Sequence, residues 1–376
     1  KISIKATKQA ILNYNKYLFD KYTFEQSIIL NFLQEQNSAV INGAAGTGKT
    51  FVALERATQC AKNKEKVLYL CFNKNLCNIL IENNSYPDFI NFKTIHRLAA
   101  EKNAIKNNED CDFNKLKDIL IEEANNSNFE YKHIIIDEGQ DFGREEFEET
   151  NIIQTLSDIM EKINGTFFIF YDKNQIIQSK NIPKYILDAD SKITLYKNCR
   201  NTTNIAISSS MVIEKLKPSG IELKNELKPI ISINKDKKIK QDMIDNAIKL
   251  LKEKLSNNIV ILTCLPQMKK ENSFLYKYTN ADKYKGYPFF SVNVFKGLEA
   301  DAIILIDIEK RHFVNEIDKL TYYTGTSRAR YGLVCICNLD EKDCSDILDF
   351  YNKKYNKKTK RSIKTIFAEN FNFEIF

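Results

Sequence analysis

Residues 43–50 read GAAGTGKT, a full match to G-x-x-x-x-G-K-[ST], set between an apolar β-type run and a helical one. Each residue type has a physical reason. Gly43, Gly46 and Gly48 permit a tight turn whose N–H groups, with those of Ala45 and Thr47, can surround phosphate oxygens. The helix that follows points its positive end at the same anion. Lys49 would neutralise β- and γ-phosphates, and Thr50 would offer a hydroxyl to Mg2+. The chain has only 11 glycines, so this cluster is hard to read as a structural turn. It implies a nucleotide site, with ATP and Mg2+ as the expected ligands.

A second stretch, IIIDEGQDF (134–142), runs three isoleucines into acidic and amide groups that are costly to bury. With the phosphate loop upstream, the expectation is a buried strand that ends beside the first. Asp137 would then hold the magnesium, and Glu138 would accept a proton from the attacking water.

Short apolar runs supply the elements that must position these groups. They are SAVIN (38–42), KVLYLCF (66–72), HIIID (133–137), TFFIFYD (166–172) and ITLY (193–196), followed by NIVILTC (258–264), AIILID (302–307) and GLVCIC (332–337). Helical stretches separate them, and many lack polar alternation, which argues for an α/β protein with parallel sheets covered on both faces. A chain of 376 residues exceeds what one core usually serves. A join is expected near 180–192, where Pro183 interrupts the apolar pattern, giving lobes at 1–188 and 189–345 and a basic, aromatic tail at 346–376. Residues 101–131 are polar and are expected to form a surface insertion with a short helix around KLKDILIEE.

Composition excludes more than it selects. At 43% hydrophobic and 28% charged residues, the chain has ordinary globular usage. It lacks an apolar run of about eighteen residues, so no membrane span is expected. The net charge of +7 mildly favours a polyanionic partner. Nine scattered cysteines without a C-x-x-C pair read as reduced thiols in a cytoplasmic protein. Lys1 opens the chain without a signal-peptide pattern, and further chain is expected to precede it.

D-E-x-Q-D is rarer than D-E, and from here the sequence resembles superfamily 1 helicases of the UvrD/Rep type, including short versions attached to nuclease-related domains. YTFEQSIIL (22–30) is similar to the adenine-reading Q motif, with Gln26 as its amide. LCFNKNL (70–76) and FKTIHRLA (92–99) resemble segments that lie along single-stranded nucleic acid, which makes Phe72, Asn73, Thr94 and His96 candidate contacts. FYDKNQII (170–177) resembles motif III, with Asp172 and Gln175 coupling γ-phosphate to strand. LYKNCRNTTNI (195–205) resembles motif IV and implies Arg200 at the γ-phosphate. VFKGLEADAIIL (294–305) resembles motif V, with Glu299 at the ribose, and YYTGTSRARYGLVCI (322–336) resembles motif VI, with Arg328 as a second arginine finger. Guanidinium suits that task through forked, charge-assisted hydrogen bonds.

The resemblance implies two RecA-like lobes, a tandem P-loop NTPase, and the short spacings between motifs leave room for only minimal accessory insertions. It implies an ATP-hydrolysing helicase or translocase on single-stranded or partly duplex DNA, with RNA left open and a nuclease domain or subunit as a further candidate partner. It departs from the family in three places, one being accessory insertions too small for the large accessory domains of the unwinding enzymes. Cys199 stands where an aromatic usually stacks on adenine, with Tyr196 nearby, and IIQSKNIP (176–183) lacks the aromatics that stack on bases. The competing expectation is a nucleotide-gated regulatory subunit that controls a partner nuclease, as in phage defence. A small-molecule kinase would explain none of the later motifs.

Overall fold

The computed structural model describes residues 28–103, 111–142, 148–173, 184–196, 198–213, 220, 226–234, 241–255, 258–280, 282–354 and 362–375. They fall into two compact units that divide after Tyr196.

The first unit holds β1 (Ser38–Gly43), α1 (Lys49–Lys62), β2 (Val67–Cys71), α2 (Lys74–Glu82), β3 (Ile90–Lys93), α3 (Ile95–Lys102) and α4 (Phe113–Asn125). It continues with β4 (His133–Asp137), α5 (Glu148–Lys162), β5 (Thr166–Tyr171) and β6 (Ser191–Leu195). Its six strands run parallel in the order β3-β2-β4-β5-β1-β6. Burial of every residue of β2 and β4 explains why these runs show no polar alternation. On one face Leu68, Leu70, Ile134 and Ile136 pack beneath α3, α4 and α5. On the other, α1 buries Val52, Ala53 and Ala57. Each fully buried aliphatic side chain contributes roughly 1.5–3 kcal/mol, so Ile135→Asp in the middle of β4 would break this lobe.

Two expectations change here. The helix of the polar 101–131 segment is not peripheral: Leu116 and Leu120 of α4 lie fully in the core, and only its outer face is polar. β6 pairs with β1, so the first unit extends past the boundary expected at residue 188.

The second unit contains α6 (Thr203–Ser210), β7 (Ile230–Asn234), α7 (Gln241–Lys254), β8 (Ile259–Thr263), β9 (Lys283–Tyr284) and β10 (Tyr287–Ser291). β11 (Ala300–Ile308), α8 (Glu316–Thr326), β12 (Ala329–Asn338), α9 (Glu341–Lys354) and β13 (Glu374–Ile375) complete it. Strand order is β13-β7-β12-β11-β8-β10-β9, parallel except for the β9–β10 hairpin. Ile244, Ile248 and Leu251 of α7 cover one face of the sheet. The tail expected from residue 346 is part of this lobe. Phe367 and Phe371 are fully buried against Phe313 at ring distances of 5.2 and 5.8 Å, Phe373 is buried, and β13 extends the sheet. The stretch 355–361 of the basic run, and Phe376, lie outside the described residues. The described residues thus form two α/β lobes of RecA-like type. Among them, no helix is long and apolar enough to cross a membrane.

Candidate functional site

In the first lobe the chemistry gathers at the carboxyl edge of the sheet. β1 ends at Gly43, and the loop turns through Gly46 (φ 83°) and Gly48 (φ 85°) in the left-handed region that only glycine enters at no cost. Gly48 caps α1 without a side-chain hydrogen bond, and the first turn carries no acidic residue. The helix therefore presents its positive end uncompensated. Lys49, 7% exposed, folds its ammonium back onto the loop and donates to the Gly43 carbonyl at 2.6 Å and the Ala44 carbonyl at 3.2 Å. Thr47 Oγ1 donates to the Ala44 carbonyl at 2.9 Å and braces the turn.

β4 delivers Asp137, but not as the direct neighbour of β1. β5 lies between them, so the expectation that the two strands end side by side is corrected. Asp137 is fully buried. Its Oδ2 accepts from the Tyr69 hydroxyl at 3.1 Å and its Oδ1 from the Glu138 N–H at 3.0 Å. Burial, then the adjacent Glu138 charge, pushes the Asp137 carboxyl up to about 6, against opposing hydrogen bonds from Thr50 and Tyr69 and the charge of Lys49. The Thr50 hydroxyl and the Asp137 carboxylate therefore meet, and they form the hard-oxygen pair that suits Mg2+. A buried carboxylate disfavoured by burial and like charge would be relieved by a cation.

Glu138 has φ 57°, a left-handed conformation that costs a non-glycine residue roughly 1–3 kcal/mol. The next residue must be glycine, because a Cβ on Gly139 would sit 2.6 Å from Ile169 Cγ2 of β5. Gln140 then ties the motif together. Its amide donates to Glu138 Oε2 at 2.5 Å, and its carbonyl accepts from the Asp172 N–H at 2.9 Å. Asn42, the penultimate residue of β1, accepts from the Lys173 N–H at 3.1 Å and donates to Thr194 Oγ1 at 3.4 Å. The ends of β1, β4, β5 and β6 are thus linked by side-chain amides.

The four candidate strand contacts stand on the same carboxyl edge, after β2 and β3. Phe72 is 43% exposed and meets Phe142 edge-on at 5.6 Å. Asn73 Oδ1 caps α2, accepting from the N–H groups of Asn75 (2.8 Å) and Leu76 (3.3 Å). Thr94 caps α3 through the Arg97 N–H at 3.2 Å. The His96 ring packs edge-on against Phe113 at 5.5 Å. Gln26 and Gln175 lie outside the described residues.

The second lobe forms a cluster of its own. Arg200 Nε donates to Glu299 Oε2 at 2.6 Å, and Arg330 Nε reaches Glu299 Oε1 at 3.2 Å. Burial opposes ionisation of Glu299, but Arg200, Arg330 and Arg328 outweigh it and hold the carboxyl below its ordinary range. Arg328 is 2% exposed and donates through Nε to the Thr324 carbonyl at 3.1 Å. Asn201 staples the Arg200 loop to the start of β12, donating to the carbonyls of Ser327 (2.9 Å) and Ala329 (2.6 Å). The structure therefore brings Arg200, Glu299 and Arg328 together, with Glu299 engaged by arginines.

Sequence reasoning gave no role to Tyr69, Asn42, Asn201 or Arg330. A phenol inside the apolar run VLYLC, and the second arginine of SRAR, were the available signals.

With this geometry in view, comparison with known proteins is informative. The family described as Schlafen group 3, DNA/RNA helicase domain, matches over residues 36–251. The chain belongs to this family. The match covers the phosphate loop, DEGQD and the Arg200 loop. Among solved structures, the Pif1 helicase from Candida albicans aligns over 89% of this chain and 99% of its own, with 12% identity and a TM-score of 0.43. The DUF1998 helicase MrfA, in a complex with DNA and AMPPNP, aligns over 90% of this chain and 51% of its own, with 13% identity and a TM-score of 0.43. At this level of similarity neither assigns a role to any residue. The Schlafen group 3 domain is a nucleotide-dependent, helicase-type module.

Proposed function

We propose that this domain is a nucleic-acid-stimulated ATPase of superfamily 1, UvrD/Rep-like type, a minimal helicase or single-strand translocase. The observation that carries the reading is the convergence of Lys49, Thr50, Asp137 and Glu138 at one sheet edge, braced by Gln140. In this reading Gly43, Ala45, Gly46, Thr47 and Gly48 wrap the phosphates with backbone N–H groups, and Lys49 exchanges its loop carbonyls for phosphate oxygens. Thr50 and Asp137 would hold Mg2+, which supplies charge neutralisation at the phosphates. Glu138, oriented by Gln140, takes the proton from the lytic water.

Arg200 and Arg328 serve as γ-phosphate arginines, Glu299 as the ribose acceptor, Gln26 as the adenine-reading amide and Gln175 as the coupler. Arg200 must then leave Glu299 when nucleotide arrives. Phe72, Asn73, Thr94 and His96 line the strand, the last three offering helix-start backbone as well as side chains. The aromatic end of the chain lends nothing to the regulatory alternative, because Phe367, Phe371 and Phe373 are buried in their own lobe.

The test is ATP hydrolysis by the purified chain with and without single-stranded DNA, with Glu138→Gln as background. Stimulation that disappears in the variant supports the reading. Hydrolysis indifferent to both DNA and RNA would refute it for this chain.

A further inference from the structure

Stacking on aromatic side chains is a main sequence-independent hold on single-stranded nucleic acid. The segment after Gln175 has no aromatic to offer. The second lobe carries an exposed aromatic surface elsewhere. Between β8 and β9 the chain forms two short 3-10 turns, Gln267–Asn272 and Tyr276–Tyr278. Tyr276 and Tyr278 are each 43% exposed, and the rings of Phe274 and Tyr278 stand 5.3 Å apart. Lys277 lies between them, its ammonium 4.7 Å from the Phe274 centroid and 5.0 Å from that of Tyr278.

The underside of this turn is fixed. Leu275, without exposure, sits in the lobe's core. The Ser273 hydroxyl donates to buried Asp307 at 2.7 Å, on the oxygen that also accepts from Thr263 at 2.5 Å. This clamps the turn to the carboxyl ends of β8 and β11. Lys270, 3% exposed, donates to the Phe289 carbonyl at 2.7 Å and to Asp282 at 2.6 Å. Rings mounted this way lose little freedom on binding.

Charge points the same way. Lys270 takes up Asp282, while Lys269, Lys277 and Lys283 remain at the surface alongside Glu271, leaving a positive excess. Rings alternating with cations suit a polymer that alternates π-faces with phosphates.

We propose that the turn Phe274–Tyr278 is a stacking platform for the bases of a single-stranded nucleic acid, with Lys277 and the lysines beside it drawing in the phosphates. The proposal rests on the nucleic-acid reading above and supplies, in the second lobe, the aromatic hold that the segment after Gln175 lacks.

The test is a fluorescence-anisotropy titration of labelled oligo(dT) and oligo(rU) with the full chain. Three variants are compared with it: Tyr276→Ala/Tyr278→Ala, Tyr276→Phe/Tyr278→Phe and Tyr278→Trp. The alanine pair is expected to bind at least about tenfold more weakly with an unchanged salt slope, and the phenylalanine pair to bind like wild type. The chain has no tryptophan, so the indole of Tyr278→Trp reads this position alone, and its emission is expected to be quenched by oligo(dT). If wild type binds while the alanine pair binds equally and the indole emission is unmoved, the platform is refuted and the nucleic-acid reading stands. If wild type binds neither oligonucleotide, that reading falls and takes the platform with it. Should the alanine pair fail to fold, the indole signal decides.

Discussion

Asp137→Asn should make the metal-free protein more stable while abolishing hydrolysis. Asp137 is fully buried, and its carboxyl is pushed from 3.8 up to about 6 by burial and by Glu138. A shift of about two units corresponds to about 3 kcal/mol of penalty on the ionised form. The sign follows from linkage. Below about pH 4 the carboxyl is protonated in both folded and unfolded chains and there is no penalty. The penalty grows as pH rises through about 6 and is constant above that. An amide removes the charge but cannot accept from both the Tyr69 hydroxyl and the Glu138 N–H. One donor left unpaired returns about 1–3 kcal/mol.

The net expectation at pH 8 in EDTA is stabilisation by about 1 kcal/mol, or about 2–4 °C in a thermal melt of a lobe this size. At pH 4.5 most of the charge penalty is absent and the gain should disappear or reverse. Adding Mg2+ should raise the melting temperature of wild type and leave Asp137→Asn unmoved. If the variant melts at or below wild type at pH 8, with the same gap at pH 4.5, Asp137 does not carry an uncompensated charge and the argument for a cation beside it is wrong.

Three further outcomes are expected. Gln140→Leu cuts the bridge between Glu138 and the Asp172 N–H, so kcat for ATP should fall about tenfold or more while affinity for a fluorescent ATP analogue changes little; an equal loss in both would mean the motif had simply collapsed. A double-mutant cycle of Arg200→Ala and Glu299→Ala should give a coupling of about 0.5–1 kcal/mol by denaturant titration without nucleotide, modest because Glu299 is 37% exposed and screened; zero coupling would mean the pair does not persist in solution. His312 is 1% exposed, and burial, then Arg311, lowers its pKa to about 4. The stability this neutral ring contributes is present above about pH 6.5 and lost as pH falls towards 4, by about 3 kcal/mol. In denaturant titrations at pH 7 and pH 4.5, His312→Asn should lose less stability than wild type over that interval, and parallel losses would rule this contribution out.

Much of this was legible because its signals are local. The apolar runs marked eight of the strands within a few residues, since burial on both faces leaves β-branched clusters that period alone cannot disguise. β3, β7, β10 and the two-residue strands escaped, because INFK, IISIN and YPFFS mix polar or aromatic residues as edge and near-edge strands do. The 101–131 helix reads as peripheral in sequence because Leu116 and Leu120 are few among polar neighbours, although both are fully buried. The lobe boundary lies later than the sequence suggests, because nothing in SKITL announces that it pairs with β1, far back in the chain.

Strand order accounts for the rest. Periodicity says where a strand lies in the chain but not which strand lies beside it, and the neighbours decide the chemistry. Since β5 stands between β1 and β4, the backbone of Asp172 arrives within reach of Gln140, and the close approach of Ile169 leaves no room for a Cβ at residue 139. The G and Q of DEGQD are thus answers to β5, whereas D and E are the pair proposed to answer to the nucleotide. The sequence motif names all four together, but only the sheet separates the pair that would do chemistry from the pair that hold it in place. It follows that a substitution at Gln140 should act on the rate through Glu138, and one at Asp137 through the phosphates and their cation.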